Sequence, residues 1–286
     1  MYMPNAYLLG NSVTRHYATA LCAAMGGSRQ LLNLTRDEER RSRACQAQSM
    51  ATTHCVWSGC GEGQRASQQV TFYWKNDLVD DTRLRDERDV CARALVQGSE
   101  LESTHACLRS SLAGASVDDV LVVGSMASNA TAMRDWYGAP ATSVADDAPR
   151  RVEATRRSDL AALLSLLLTV FPGLVVWHSY AHLVARHDTH GRVGPATNLA
   201  IAEHNELVMR ASWRAASRRL RYLDLSGLQA LHEDEYHDLI HHPGALSEHI
   251  AQLVLELWGS WRAAPLARYR NESAVGGRQR SARSQN

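Results

Sequence analysis

Lysine is almost missing from this 286-residue chain: Lys75 is the sole example, and arginine supplies the rest of the 31 basic residues. Set against 30 acidic residues, they leave a formal net charge of +1. A nucleic-acid partner is therefore not expected, because its electrostatic footprint needs a basic excess gathered on one face. The lone lysine follows no glycine-rich segment, and no GxGxxG follows a strand, so nucleotide chemistry lacks its common phosphate cradles. HExxH is absent as well. His237, His241 and His242 show no carboxylate-and-histidine set at fixed helical spacing, so neither a metal nor an organic cofactor is expected.

Cysteine disappears after Cys107. The six present, Cys22, Cys45, Cys55, Cys60, Cys91 and Cys107, form an even, clustered set that suits disulfides stapling one excursion from the core. Buried thiols are one alternative. A zinc site including His54, Cys55 and Cys60 is another, without an evident fourth ligand. Asn-x-Ser/Thr sequons begin at Asn33, Asn129 and Asn271. Cysteines and sequons together favour a secretory lumen or an extracellular setting, although the start MYMPNAYLLGNS has neither the charged n-region nor the long apolar h-region of a signal peptide.

Long apolar runs are also scarce. The longest, residues 161–177, is short for a bilayer core and is cut by Pro172-Gly173, so it predicts a buried helix ending at Phe171 and then a strand, with no transmembrane segment.

What remains is a hydrophobic share of 45% against 21% charged residues, enough for a packed interior. Ala6-Tyr7-Leu8-Leu9 reads as a strand that turns at Gly10-Asn11-Ser12 into an amphipathic helix stopped by Gly26-Gly27. Residues 31–69 read as a Cys-bearing insertion, 70–74 as a strand and 83–113 as one or two helices. The uninterrupted run Val120-Leu121-Val122-Val123 before Gly124 has the pattern of a strand covered on both faces. A helix over 151–171, a strand over 173–177, a helix over 198–218, a strand over 220–225 and a helix over 246–258 follow. Alternating strands and helices predict one α/β domain over 1–265, a three-layer α/β/α sandwich with a mostly parallel sheet of four or five strands. Residues 266–286 read as a disordered tail. A ligand belongs above the carboxyl ends of the strands.

Ser12 stands where the first strand becomes a helix, a place where free backbone N–H groups can receive an oxyanion. The same position suits a plain helix N-cap. Asp238-Leu239-Ile240-His241 places a carboxylate three residues before an imidazole, the spacing that lets one orient the other in nucleophilic catalysis. Asp234-Glu235-Tyr236-His237 repeats that spacing four residues earlier; His241 is preferred because His-x-Pro-Gly leads directly into the last helix, with His237 lining or supporting the pocket and His242 facing away.

Gly10-Asn11-Ser12-Val13-Thr14-Arg15 resembles the first block of the SGNH/GDSL hydrolases, especially their PC-esterase-like eukaryotic branch, where an arginine lies three residues after the serine. Asp238-Leu239-Ile240-His241 with Pro243-Gly244 resembles the last block. The strand end at Gly124, Val175-Val176-Trp177-His178-Ser179 and Asn205 are also similar, and the order of elements matches over about 250 residues. The resemblance implies a flavodoxin-like fold and Ser-His-Asp acyl chemistry, with Ser12 as nucleophile, His241 as base and Asp238 as its orienter. It also implies an oxyanion hole from the Ser12 N–H, Gly124 and Asn129. Two departures stand out: Asn11 replaces the usual Asp, and a GxND block is not cleanly present, since Gly124 and Asn129 are five residues apart. Arg15 would anchor a polar substrate or secure the turn. Tyr73, Trp74, Trp136, Tyr137 and Trp177 are candidates for stacking on sugar faces, or for core. The implied activity is a serine esterase removing O-acyl, commonly O-acetyl, groups from a glycan or other small acylated substrate. An O-acyltransferase with the same triad, or an inactive glycan-binding protein of the same fold, is the alternative.

Overall fold

In the computed structural model, residues 4–26, 54–58, 68–74, 104–124, 160–180, 183–184, 195–236, 241–242 and 244–264 are described. Five strands run parallel: β1 (Ala6–Gly10), β3 (Gln69–Trp74), β4 (Val120–Val123), β5 (Leu174–His178) and β6 (Leu220–Leu223). An antiparallel edge strand, β2 (His54–Ser58), adds a sixth, and the sheet order is β2-β3-β1-β4-β5-β6. Taken alone, the parallel strands stand in the order second, first, third, fourth, fifth, which is the flavodoxin-like arrangement. The expected parallel α/β sheet is therefore present. Strand β2 falls inside the predicted 31–69 insertion, and β3 begins at its last residue, Gln69; residues 31–53, 59–67 and 266–286 lie outside the described residues.

Side chains alternate across the sheet with the period of a strand, and each set feeds its own layer. Ala6, Leu8, Val120, Val122, Leu174 and Val176 pack on one face with helices α1 (Ser12–Ala24) and α6 (Ala245–Ala263). Leu9, Leu121, Val123, Val175 and Trp177 pack on the other. That second face is covered by α2 (Thr104–Ser111), α3 (160–170) and α4 (Pro195–Arg214). A short helix, α5 (Ser226–Leu231), and a 3-10 turn, Glu233–Glu235, lead toward α6.

The long apolar run divides as its proline predicts. Helix α3 stops at residue 170, and the guanidinium of Arg219 donates to the terminal carbonyls of Leu168 and Phe171 at 2.7 and 2.6 Å, groups that no helical N–H can reach. Helix α4 ends at Arg214 rather than 218, and Ala216 beyond it takes a left-handed φ of 47°. Among the described residues no helix is long and apolar enough to cross a membrane. Cys22 and Cys107 are disulfide-bonded. They sit in opposite layers.

The amino ends of the strands are knitted by Asp119, which is fully buried. Its two oxygens accept from the N–H groups of Asn5 and Ser116, each at 2.7 Å. The indole of Trp258 in α6 donates to Asp118 O at 2.7 Å at the same end. The carboxyl ends carry the chemistry-bearing residues.

Candidate active site

The switch point of this strand order lies between β1 and β4, where successive connections leave on opposite sides and open a crevice. The β1-α1 turn, Gly10-Asn11-Ser12, stands there. Asn11 has the extended backbone of an N-cap, and its side-chain oxygen accepts from the Val13 N–H at 3.0 Å. Its amide donates to the Tyr180 hydroxyl at 3.4 Å. Asn11 thus performs the turn-holding job of the expected aspartate and reaches a second element besides. Ser12 is the first residue of α1; its side chain lies outside the described set.

Two glycines let α1 sit this close to the sheet. A Cβ at Gly10 would lie 2.3 Å from Thr14 Oγ1, and one at Gly124 only 2.0 Å from it. A side chain at either position would have to displace the side chain of Thr14 in the first turn of α1. For Gly124 this replaces the oxyanion role expected of it, because its N–H donates to Leu9 O at 2.8 Å and is committed to the strand ladder. Asn129, the other expected donor, lies outside the described residues.

The far segment of the chain comes to the same place. The ring of His241 lies 5.4 Å from that of His16, one helical turn after Ser12, in an edge-to-face arrangement. His237 and Asp238 lie outside the described residues. His242 does not face away as expected. It is 1% exposed, and the Tyr17 hydroxyl stands 2.7 Å from its Nε2. Its carbonyl accepts from Ser247 Oγ at 2.6 Å, and its ring lies 4.7 Å from that of Tyr236. Consecutive histidines therefore divide between a half-buried position against α1 and the interior.

The stretch between Tyr236 and α6 is closed by Glu235. One carboxylate oxygen lies 2.8 Å from His232 Nδ1, and the other accepts from the Leu246 N–H at 2.7 Å. Leu246 is in the first turn of α6, where an acidic group meets unpaired N–H donors and the positive end of the helix dipole.

Beneath these residues is a buried polar cluster that sequence reading missed. His178 at the end of β5 is fully buried, which pushes its pKa down from 6.5 to about 4 despite a backbone bond to the Ser179 carbonyl. Nδ1 lies 2.8 Å from that carbonyl oxygen, so it carries the hydrogen and Nε2 is left as an acceptor. The Tyr17 ring packs against His178 at 5.1 Å, and burial raises the Tyr17 hydroxyl well above its ordinary pKa. The Tyr180 hydroxyl is pushed up to about 12 by burial, opposed by the Asn11 amide. The signal was there in the period-2 alternation of β5, which puts His178 on the same face as Leu174 and Val176.

Arg15 is buried at 4% exposure, which fits securing the turn rather than reaching a substrate in bulk solvent. Trp177 is fully buried in the opposite layer, so it is core and not a stacking platform. Tyr73 donates to Ser111 O at 2.7 Å in that same layer. Trp136, Tyr137 and the Trp74 side chain lie outside the described residues.

Two clefts adjoin these elements. One of about 230 Å³ opens at the carboxyl ends of β5 and β6, with Tyr180, Tyr222, Asp224 and Ser226 in its lining. Its wall is held by α4: the Asn205 amide pairs with both backbone groups of Tyr180 at 2.7 and 3.0 Å, and Asn198 does the same for Leu183 at 2.8 and 3.0 Å. The other, about 360 Å³, lies between α3 and α4. It is larger, but it is lined by leucines, alanines, Ser165, Arg210 and Arg214 on the far side of the sheet from α1, with no acid-base pair. Among the described residues, no group of histidine, cysteine and carboxylate is gathered so as to hold a metal ion.

No protein-family model matches the chain, and no curated protein matches it. Among solved structures, the chain is similar to an extracellular lipase from Streptomyces rimosus at 12% identity, with 85% of this chain and 86% of that one covered. The TM-score is 0.31, too low for the likeness to bear on the site.

Proposed function

We propose that this protein is a serine esterase of the SGNH type, with Ser12 as nucleophile, His241 as general base and Asp238 as the carboxylate that orients it. The observation that carries this reading is the approach of His241 to His16, which brings a segment some two hundred residues distant onto the first turns of the serine helix. Burial of His242 supports it, because the neighbouring imidazole is thereby held at the rim.

In the proposed reaction, His241 takes the Ser12 proton as the hydroxyl oxygen attacks an ester carbonyl. The tetrahedral oxyanion is received by the Ser12 N–H at the start of α1 and by Asn129. The alkoxide departs with the proton from His241, and water, deprotonated by the same imidazole, releases the acyl group. Gly124 contributes close packing beneath the site and no donor.

The substrate class in this reading is an O-acylated glycan or other small polar ester. The cleft bordered by Tyr222, Asp224 and Ser226 supports it, since such a lining suits a hydroxyl-rich leaving group. The disulfides at Cys22 and Cys107 support an oxidising compartment. The test is release of acetate from O-acetylated oligosaccharides by the native chain and by Ser12→Ala, with and without an acceptor sugar. Serine-dependent release that persists without acceptor supports the esterase, whereas acetylation of the acceptor at the expense of release would make the protein a transferase. Equal release by both chains would remove the reading.

A further inference from the structure

We infer that Tyr17 and His242 form a positioning pair that sets the separation between the nucleophile's helix and the base, an inference that rests on the esterase reading above. Tyr17 lies on α1, five residues after Ser12, and His242 immediately follows His241. The contact between the phenol oxygen and Nε2, 2.7 Å long, spans 225 positions of sequence. Both side chains are at most 2% exposed, so water does not compete for the bond.

Each partner is fixed from behind. Tyr17 packs edge-on against His178, and the fully buried Gln229 amide lies beside its hydroxyl. His242 is held through its carbonyl by Ser247 and across its ring by Tyr236. A side chain held firmly on the serine helix thus meets one held firmly a single residue from the base. Displacing a general base by about 1 Å can cost on the order of a hundredfold in rate, because proton transfer requires the groups within hydrogen-bond reach. The pair touches no substrate; it acts through His241.

The test compares Tyr17→Phe, which deletes only the hydroxyl, with His242→Leu and His242→Gln, whose amide oxygen can accept from the same phenol. Tyr73→Phe is the control, since it removes a hydrogen bond of equal length in the opposite layer. Well below the unfolding midpoint, Tyr17→Phe and His242→Leu should each lower kcat about tenfold with KM within twofold. Their combination should lose no more than either alone, His242→Gln should stay within about threefold of native, and Tyr73→Phe should leave kcat unchanged. A second readout needs no turnover: nuclear Overhauser contacts between the His16 and His241 rings should weaken in Tyr17→Phe and survive in Tyr73→Phe. Native kcat in Tyr17→Phe, a loss confined to KM, or an intact ring contact would overturn the pair's role. A native chain that shows no serine-dependent turnover at all would instead overturn the esterase reading, and the ring contact would then decide the positioning role by itself.

Discussion

The two layers flanking the sheet are built from different materials. On the α3/α4 side the interior is Leu160, Leu163, Leu164, Leu167, Phe171 and their neighbours, with Trp177 filling the end of β5. On the α1/α6 side the same sheet end carries Tyr17 packed against both His178 and His242, with Gln229 beside Tyr17 and Tyr236 beside His242. The hydrogen bond between Tyr17 and His242 ties two elements of this layer in one arrangement, which leaves it less freedom to repack than an aliphatic layer has. The aliphatic layer gives stability that depends on volume; the polar layer gives a defined geometry at the end of the sheet where a ligand crevice opens.

The sharpest break between the layers should come from Ser12→Ala, which is expected to reduce turnover of a serviceable ester about 10⁴-fold or more with little change in unfolding free energy. Steady-state kinetics beside a urea titration checks both halves. Leu167→Ala in the other layer should do the reverse, lowering stability by about 2–5 kcal/mol, since Leu167 is fully buried, while kcat of the folded enzyme stays near native.

Acid should act through the polar layer. Above pH 6.5 His178 is neutral whether the chain is folded or not. As pH falls through 6.5 the unfolded chain takes up a proton that the buried ring refuses until about pH 4, so the stability present above 6.5 drains away across that window. The loss should approach about 3 kcal/mol, and a pH series of unfolding free energies should be flatter by that amount in His178→Gln. An equal slope in both chains would show that His178 is not the group responsible.

Gly124→Ala should cost about 1–3 kcal/mol through its clash with Thr14. Adding Thr14→Ala should recover most of it, which a thermal melt of the double variant would reveal. Smallest is Asn11→Ala, expected to lose about 1 kcal/mol with the cap, whereas Asn11→Asp should keep it.

Much of the aliphatic layer and the sheet could be read in advance because their signals are local. Val120-Leu121-Val122-Val123 needs only its own composition to be a buried strand, and Pro172 marks where α3 must stop. Strand β2, HCVWS, escaped because an edge strand needs no continuous apolar run and its identity depends on pairing with β3. The end of α4 at Arg214 is not legible, because Ala215-Ala216-Ser217-Arg218 contains no stop signal. The polar layer was legible at its two ends, the Gly10-Asn11-Ser12 turn and the histidines before α6, but not in its middle. Nothing adjacent to His242 announces a tyrosine 225 positions away, and the commitment of the Gly124 N–H to Leu9 follows from strand pairing that spacing does not encode.

The most direct test of the account is treatment with a fluorophosphonate followed by peptide mapping, on the native chain and on His241→Ala. The account predicts a single phosphonyl adduct at Ser12 in the native protein, formed far more slowly when the imidazole is removed. An adduct on another serine, or one at Ser12 formed equally fast without His241, would contradict it.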